Sequence, residues 1–233
     1  MKTNESLQQD VLAELHWEPI LHGTDIEVST NAGVVTLSGQ VSSYPIKLAA
    51  ERAAKRVKGV EAVSGHIRVI TGDGIERSDE QIDQAIVHSL TLHAQIPQDQ
   101  IQASVQAGQV TLEGTVDWNY QRQLAQSTVE SLTGVKGVTN LIQTAIHPIR
   151  TDIETHILTA LSRNAALEAQ QIQVTVAGDQ VTLTGPVRSF AERDEAENAV
   201  WGAVGVRSVK NNLLVSALNS HQLDESTSSN KKL

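Results

Sequence analysis

Eight histidines are the first residues that invite chemistry. His16, His22, His66, His88, His93, His147, His156 and His221 are scattered along the chain. A helix presents two imidazoles to one metal ion when they sit four residues apart, whereas His88 and His93 are five apart. None recurs at an equivalent place in the repeats described below. Adjacent carboxylates occur at Asp79-Glu80, where a helix should start, and at Asp224-Glu225, in a polar tail. Neither arrangement sets two carboxyls across a substrate. No serine has the spacing of a nucleophile elbow. Without cysteine there is no disulfide and no thiolate ligand. These residues predict a protein that is not an enzyme and that carries no metal or cofactor.

Cations are more suggestive. Lys47, Arg122 and Arg193 stand in one repeated slot, eight residues after a repeated glycine. Around the first of them lie Arg52, Lys55, Arg56 and Lys58, with Arg52, Lys55 and Arg56 spaced to share a helix face. One reading is a solvated face paired with neighbours such as Glu51 and Glu61. The other is a contact for an anionic lipid headgroup or an acidic protein, through Lys47, Arg52, Lys55, Arg56 and Lys58. Aromatics gather nearby in each copy, at Tyr44, at Trp118 with Tyr120, and at Phe190. They suit packing against a neighbouring module, or an interfacial anchor.

The elements that must position these groups are written three times. Val35-Thr36-Leu37-Ser38-Gly39, Val110-Thr111-Leu112-Glu113-Gly114 and Val181-Thr182-Leu183-Thr184-Gly185 share one pattern. The glycines are 75 and 71 residues apart, and each is followed twenty residues later by Gly-Val, at Gly59, Gly134 and Gly205. A repeat of this length must be recognised before secondary structure is assigned. It predicts modules at 6–70, 78–146 and 151–216, and a disordered polar tail at 217–233. In each module a helix with Leu15, Leu90 or Leu161 on its apolar face comes first. A hairpin follows, then an Ala-rich helix (44–57, 118–132, 189–203), then a strand. The fold class is therefore α/β (α+β), as three tandem α-β-β-α-β modules. Each should be a mixed three-stranded sheet packed against two helices, with the crossover strands parallel. Gly39, Gly114 and Gly185 read as structural glycines at the strand-to-helix corner. There either φ is positive or a neighbour leaves no room for a Cβ. A phosphate loop would need further glycines and a Lys or Ser/Thr at the helix start.

Charge bounds the partners. The formal net charge is -9 over 233 residues, which disfavours nucleic acid. No apolar run is long enough to span a membrane. The N-terminal Met1-Lys2-Thr3-Asn4-Glu5 stretch is polar and unlike an export signal. It predicts a cytoplasmic protein as the sequence stands, or a periplasmic one if a signal has been removed.

The V-T-L-x-G-x-V strand, the following helix and the ending Gly205-Val206-Arg207-Ser208-Val209-Lys210-Asn211-Asn212-Leu213 resemble the BON domain (OsmY-like) family. The second copy keeps Asn140 and Ile142 at the last two motif positions; the first has Gly65 and Ile67. The resemblance implies an α/β module without catalysis, associated with osmotic or envelope stress and with binding of phospholipid or other envelope components. OsmY-like members are periplasmic. The expected function is a BON-type binding or scaffold protein, its partner an anionic phospholipid surface or an envelope protein. A protein-interaction adaptor without lipid contact, and small-molecule binding in an inter-module groove, are the alternatives. Oligomeric state is left open by these residues.

Overall fold

In the computed structural model, residues 2–70, 77–145, 153–164, 171–203 and 205–215 are described. The expected tail at 217–233, the linker residues 71–76 and 146–150, and the capping candidates Thr151 and Asp152 lie outside them.

The chain folds as three tandem mixed α/β modules. The first comprises α1 (Asn4–Trp17), β1 (Asp25–Asn31), β2 (Val34–Val41), α2 (Tyr44–Arg56) and β3 (Ala62–Val69). The second comprises α3 (Asp79–Leu92), β4 (Ile101–Gln106), β5 (Gln109–Val116), α4 (Asn119–Glu130), β6 (Gly137–Asn140) and β7 (Gln143–Thr144). The third comprises α5 (Ile153–Arg163), β8 (Gln173–Ala177), β9 (Gln180–Val187), α6 (Phe190–Trp201) and β10 (Ser208–Val215). In each sheet the V-T-L strand is central. Its hairpin partner is antiparallel and the strand after the crossover helix is parallel.

Each module has its own core of branched aliphatics, such as Val11, Val35 and Leu37 in the first. Small residues let the second helix lie close on the sheet: Ala50, Ala54, Ala125 and Ala196 are fully buried. The first helix is tied to the hairpin turn. In the second module Ser78 and Gln81 form a capping box. The Asp79 carboxylate accepts the amides of Ala107 and Gly108 at 2.8 and 2.9 Å. Asn4 does the same for Ala32 in the first. The Asp79 carboxylate of the Asp79-Glu80 pair is thus a backbone staple.

The repeated glycines are placed differently from expectation. Gly39, Gly114 and Gly185 lie inside β2, β5 and β9, two residues before the strand ends, and not at the corner. Their φ values are 137°, 136° and 128°. A Cβ on any of them would collide with the carbonyl oxygen of Asp25, Gln100 or Gln171, where the first strand begins. Both physical reasons for glycine therefore act at one position.

The third strand of the second module is in two pieces, β6 and β7. The Asn140 side chain accepts the Ile142 amide at 3.1 Å and donates to the Arg122 carbonyl and Gln126. Asn211 repeats this pattern with Leu213, Arg193 and Glu197. The repeated asparagine therefore ties the third strand to the second helix. Where the first module has Gly65, Glu51 occupies the space beside it, 2.6 Å from where a Cβ would stand.

Candidate functional site

The modules meet through their second helices. At the first position of α2, Tyr44 packs on the core of the second module, and its hydroxyl bonds to the Val138 backbone. That burial holds the phenol above its usual pKa. The same position in α6 is Phe190, which packs on the core of the first module. The third module thus plugs into the first and the first into the second, by one repeated residue. Aromatic rings suit this use because one planar side chain buries much area.

The basic face of α2 is divided between its own module and the junctions. Arg56 binds Glu14 and Glu18 of the α1 end, both at 2.9 Å, and these carboxylates, Glu18 first, raise its pKa. Arg52 lies 3.8 Å from Glu130 of α4. Lys55 acts electrostatically on Asp194 of α6, whose carboxyl burial pushes above its usual value. The partners come from α1 and its end, α4 and α6, and are not Glu51 and Glu61. Pairing between residues so far apart in the chain cannot be read from helical spacing. Lys47 is half-buried and Lys58 is exposed. Lys55 is half-buried like Lys47, and Arg52 and Arg56 are exposed like Lys58.

The remaining junction, from the second module to the third, is built differently. The position held by Tyr44 and Phe190 is Asn119 in α4. Asn119 is 8% exposed, and its Oδ1 has no hydrogen-bond partner among the described residues. Thr144, where the other copies have Val69 and Val215, is 6% exposed with its hydroxyl also unpartnered. Arg122 of the repeated basic slot lies over the Trp201 ring, 5.8 Å from its centre, with its Nε buried and unpartnered. Its counterpart Arg193 lies 5.9 Å over Phe190 and donates to the Asn211 carbonyl, and its Nε is unpartnered too.

Between α4, α6 and the end of α2 this leaves an open cleft of about 760 Å³. Arg52, Arg122, Glu130, Asp194 and Glu197 supply its charges, and Tyr120 and Trp201 its aromatic rings. The rest of the wall is largely side-chain amide; Gln123 bridges to Asn198 at 3.2 Å across the two modules. A second crevice of about 570 Å³ adjoins it at Arg122 and Trp201, where Arg207 donates to Gln143. The shared signal in the sequence was the repeat itself: once the copies are aligned, Asn119 and Thr144 are the polar exceptions in apolar slots.

Elsewhere, the His16 and His22 rings lie 5.7 Å apart beside a small crevice, with His22 Nε2 at 3.0 Å from the His16 carbonyl. Spacing did not single this pair out. Trp17 next to it is 82% exposed. Among the described residues no group of three or more His, Asp or Glu could hold a metal ion. No helix among them is long and apolar enough to cross a membrane.

Comparison with known proteins agrees with the repeat. A family model of the BON domain matches residues 3–71, 78–145 and 150–217. The osmotically-inducible protein Y of Escherichia coli (strain K12) is 34% identical over 128 residues, which are 53% of this chain and 64% of that protein. The chain thus spans less than two thirds of that relative's length. Among solved structures, CdsD, a structural protein of the type III secretion system of Chlamydia trachomatis, aligns over 91% of this chain and 92% of its own, with TM-score 0.26 and 15% identity. The CdsD C-terminal domain aligns over 93% and 100%, with TM-score 0.25 and 15% identity. Both scores are too low to bear on fold or role.

Proposed function

The chain belongs to the BON domain family, and from that premise we propose that it is a non-catalytic binding protein of osmotic or envelope stress. Its binding surface is the cleft between the second and third modules. The observation that carries this reading is the Asn119 slot. Two copies of the repeat fill it with an aromatic plug, and the third has an asparagine that lines a cleft, with its amide oxygen buried and unpartnered. A buried polar atom without a partner costs roughly 1–3 kcal/mol, so its retention favours a use for it. Deep polar groups converging on a cleft are the usual mark of a binding site.

The stress association rests on kinship with an osmotically inducible relative. The compartment that fits this kinship is the periplasm, against the cytoplasmic expectation from the polar N-terminus; fractionation of the native host decides between them.

Hydrogen exchange of the full chain against isolated envelope material, split into membrane vesicles and soluble wall fragments, tests the reading. Protection is expected in α4 and α6. Unchanged exchange there with both fractions would overturn it.

Recognition of anionic phospholipid is the second reading. Exposed Lys58 and the 82% exposed Trp17 favour it, whereas Arg52, Lys55 and Arg56 are already opposite carboxylates. Co-sedimentation with anionic and neutral vesicles at low and high salt separates the two readings. Binding to anionic vesicles that is lost in Lys58→Glu would establish the lipid reading.

A further inference from the structure

The three modules close into a ring whose junctions are unequal. Tyr44 seats the first module on the second, and Phe190 seats the third on the first. The second and third are joined by polar bridges: Gln123 donates to Asn198 and Arg207 to Gln143, both at 3.2 Å, and Arg122 lies over Trp201. Both hydrogen bonds are exposed, so water competes for their partners. A seated ring has no such competitor, because it holds by the apolar area it removes from water.

The receiving side differs as well. Tyr44 reaches the Val138 backbone beside Glu130. Counted from the repeated glycines, the matching residues of the third module are Val209 and Trp201. These line the crevice of about 570 Å³, which adjoins the cleft of about 760 Å³. Closing this junction also carries a penalty. Asn119 lines the cleft and Thr144 the crevice, and each keeps a buried oxygen without a hydrogen-bond partner among the described residues. Their counterparts are Tyr44 with Phe190 and Val69 with Val215. A valine or phenyl ring has no oxygen to satisfy, and the Tyr44 hydroxyl is bonded. Water can pair with the two oxygens once the modules part, so they oppose closure. Arg122 Nε does not distinguish the junctions, because Arg193 Nε is unpartnered too.

We propose that the junction between the second and third modules is a gate. These two modules part by rotation about the Tyr44 and Phe190 plugs, which stay seated as pivots, and the cleft opens and closes with them. The gate's use in admitting a ligand rests on the cleft being the protein's binding surface; the motion itself does not.

The test measures distances between modules in the full chain. The sequence has no cysteine, so spin labels attach only where cysteines are introduced. Ser29, Ser104 and Thr175 hold one equivalent, exposed position in β1, β4 and β8. Three double variants, combining Ser29→Cys, Ser104→Cys and Thr175→Cys in pairs, report the three junctions by pulsed electron double resonance. The Ser104–Thr175 pair is expected to give the broadest distance distribution. Asn119→Tyr, which restores the plug used by the sister modules, should narrow it. Tyr44→Asn is the converse variant: it should broaden the Ser29–Ser104 distribution, and it reads the plug's role even where Asn119→Tyr perturbs the fold.

A Ser104–Thr175 distribution no broader than the other two would overturn the proposal. So would a folded Asn119→Tyr protein in which that distribution is unchanged, or a Tyr44→Asn protein in which the Ser29–Ser104 distribution is unchanged. These distances need no ligand, so the two readings fail separately. Protection of α4 and α6 by envelope material without the broad distribution would remove the gate and leave the cleft as a binding surface. The broad distribution without protection would leave the gate and remove the cleft reading.

Discussion

The carboxylate of Glu130 stands 3.8 Å from the guanidinium of Arg52, across the boundary between the second and first modules. The two residues are unequal in setting: the Arg52 side chain is 68% exposed and that of Glu130 is 10% exposed. The contact turns the most basic helix of an acidic chain toward its own neighbours.

Arg52→Glu is therefore expected to loosen the first and second modules, not to unfold either. With the Arg52 side chain largely in solvent and 3.8 Å from its partner, the pair contributes about 1 kcal/mol. Thermal unfolding should show a small fall in Tm at low salt that shrinks at high salt. An equal fall at both salts would mean that the pair does not act electrostatically.

Gly114→Ala should be much more costly. The new Cβ would meet the Gln100 carbonyl oxygen at a φ that alanine seldom adopts. A loss of roughly 2–4 kcal/mol is expected from strain and displaced backbone. Denaturant unfolding measures it, with Gly39→Ala and Gly185→Ala as replicates in the other modules. A loss below about 0.5 kcal/mol, the level of an ordinary surface change, would contradict the close approach.

Asn211→Ala removes a side chain that donates to the Arg193 carbonyl and Glu197 and accepts the Leu213 amide. A loss of about 1–3 kcal/mol follows if these groups stay buried without partners. Asn140→Ala should behave alike in the second module. Solvent-level hydrogen exchange at Leu213 in the parent protein would refute the tie.

Asp194 gives a pH signature. Burial raises its carboxyl above the ordinary value, with Lys55 partly offsetting. A raised folded pKa means the group favours folding below its unfolded pKa, and this contribution is lost as pH rises through the folded pKa. Asp194→Asn, which stays neutral, should thus raise Tm at neutral pH and match the parent at acid pH. A variant less stable than the parent at neutral pH would show that the Lys55 attraction outweighs burial.

Much of the architecture was legible in the residues because it is local. Strand alternation, the Ala-rich helix face and the Gly-Val helix stop each act within a few residues. Three copies in register made the mixed sheet order readable as well. The glycine position was legible as a need for glycine but not as a place. Its clash is with Asp25, Gln100 or Gln171 at the start of the partner strand, so only pairing shows that it sits inside the strand.

Of the candidate site, the cations were visible and their partners were not. Helical spacing puts Arg52, Lys55 and Arg56 on one face, yet Glu130 and Asp194 reach that face from other modules.

The sequence by itself determined three modules, their element order and the slots they share, because hydrophobic period and backbone chemistry act over short distances. Tertiary structure alone decided what each slot does. Tyr44 and Phe190 became plugs, and Asn119 a buried amide with its oxygen unpartnered, only when the second helices met. The reason is physical: inter-module packing depends on surfaces brought together from distant parts of the chain, and no local pattern encodes which neighbour a side chain will find.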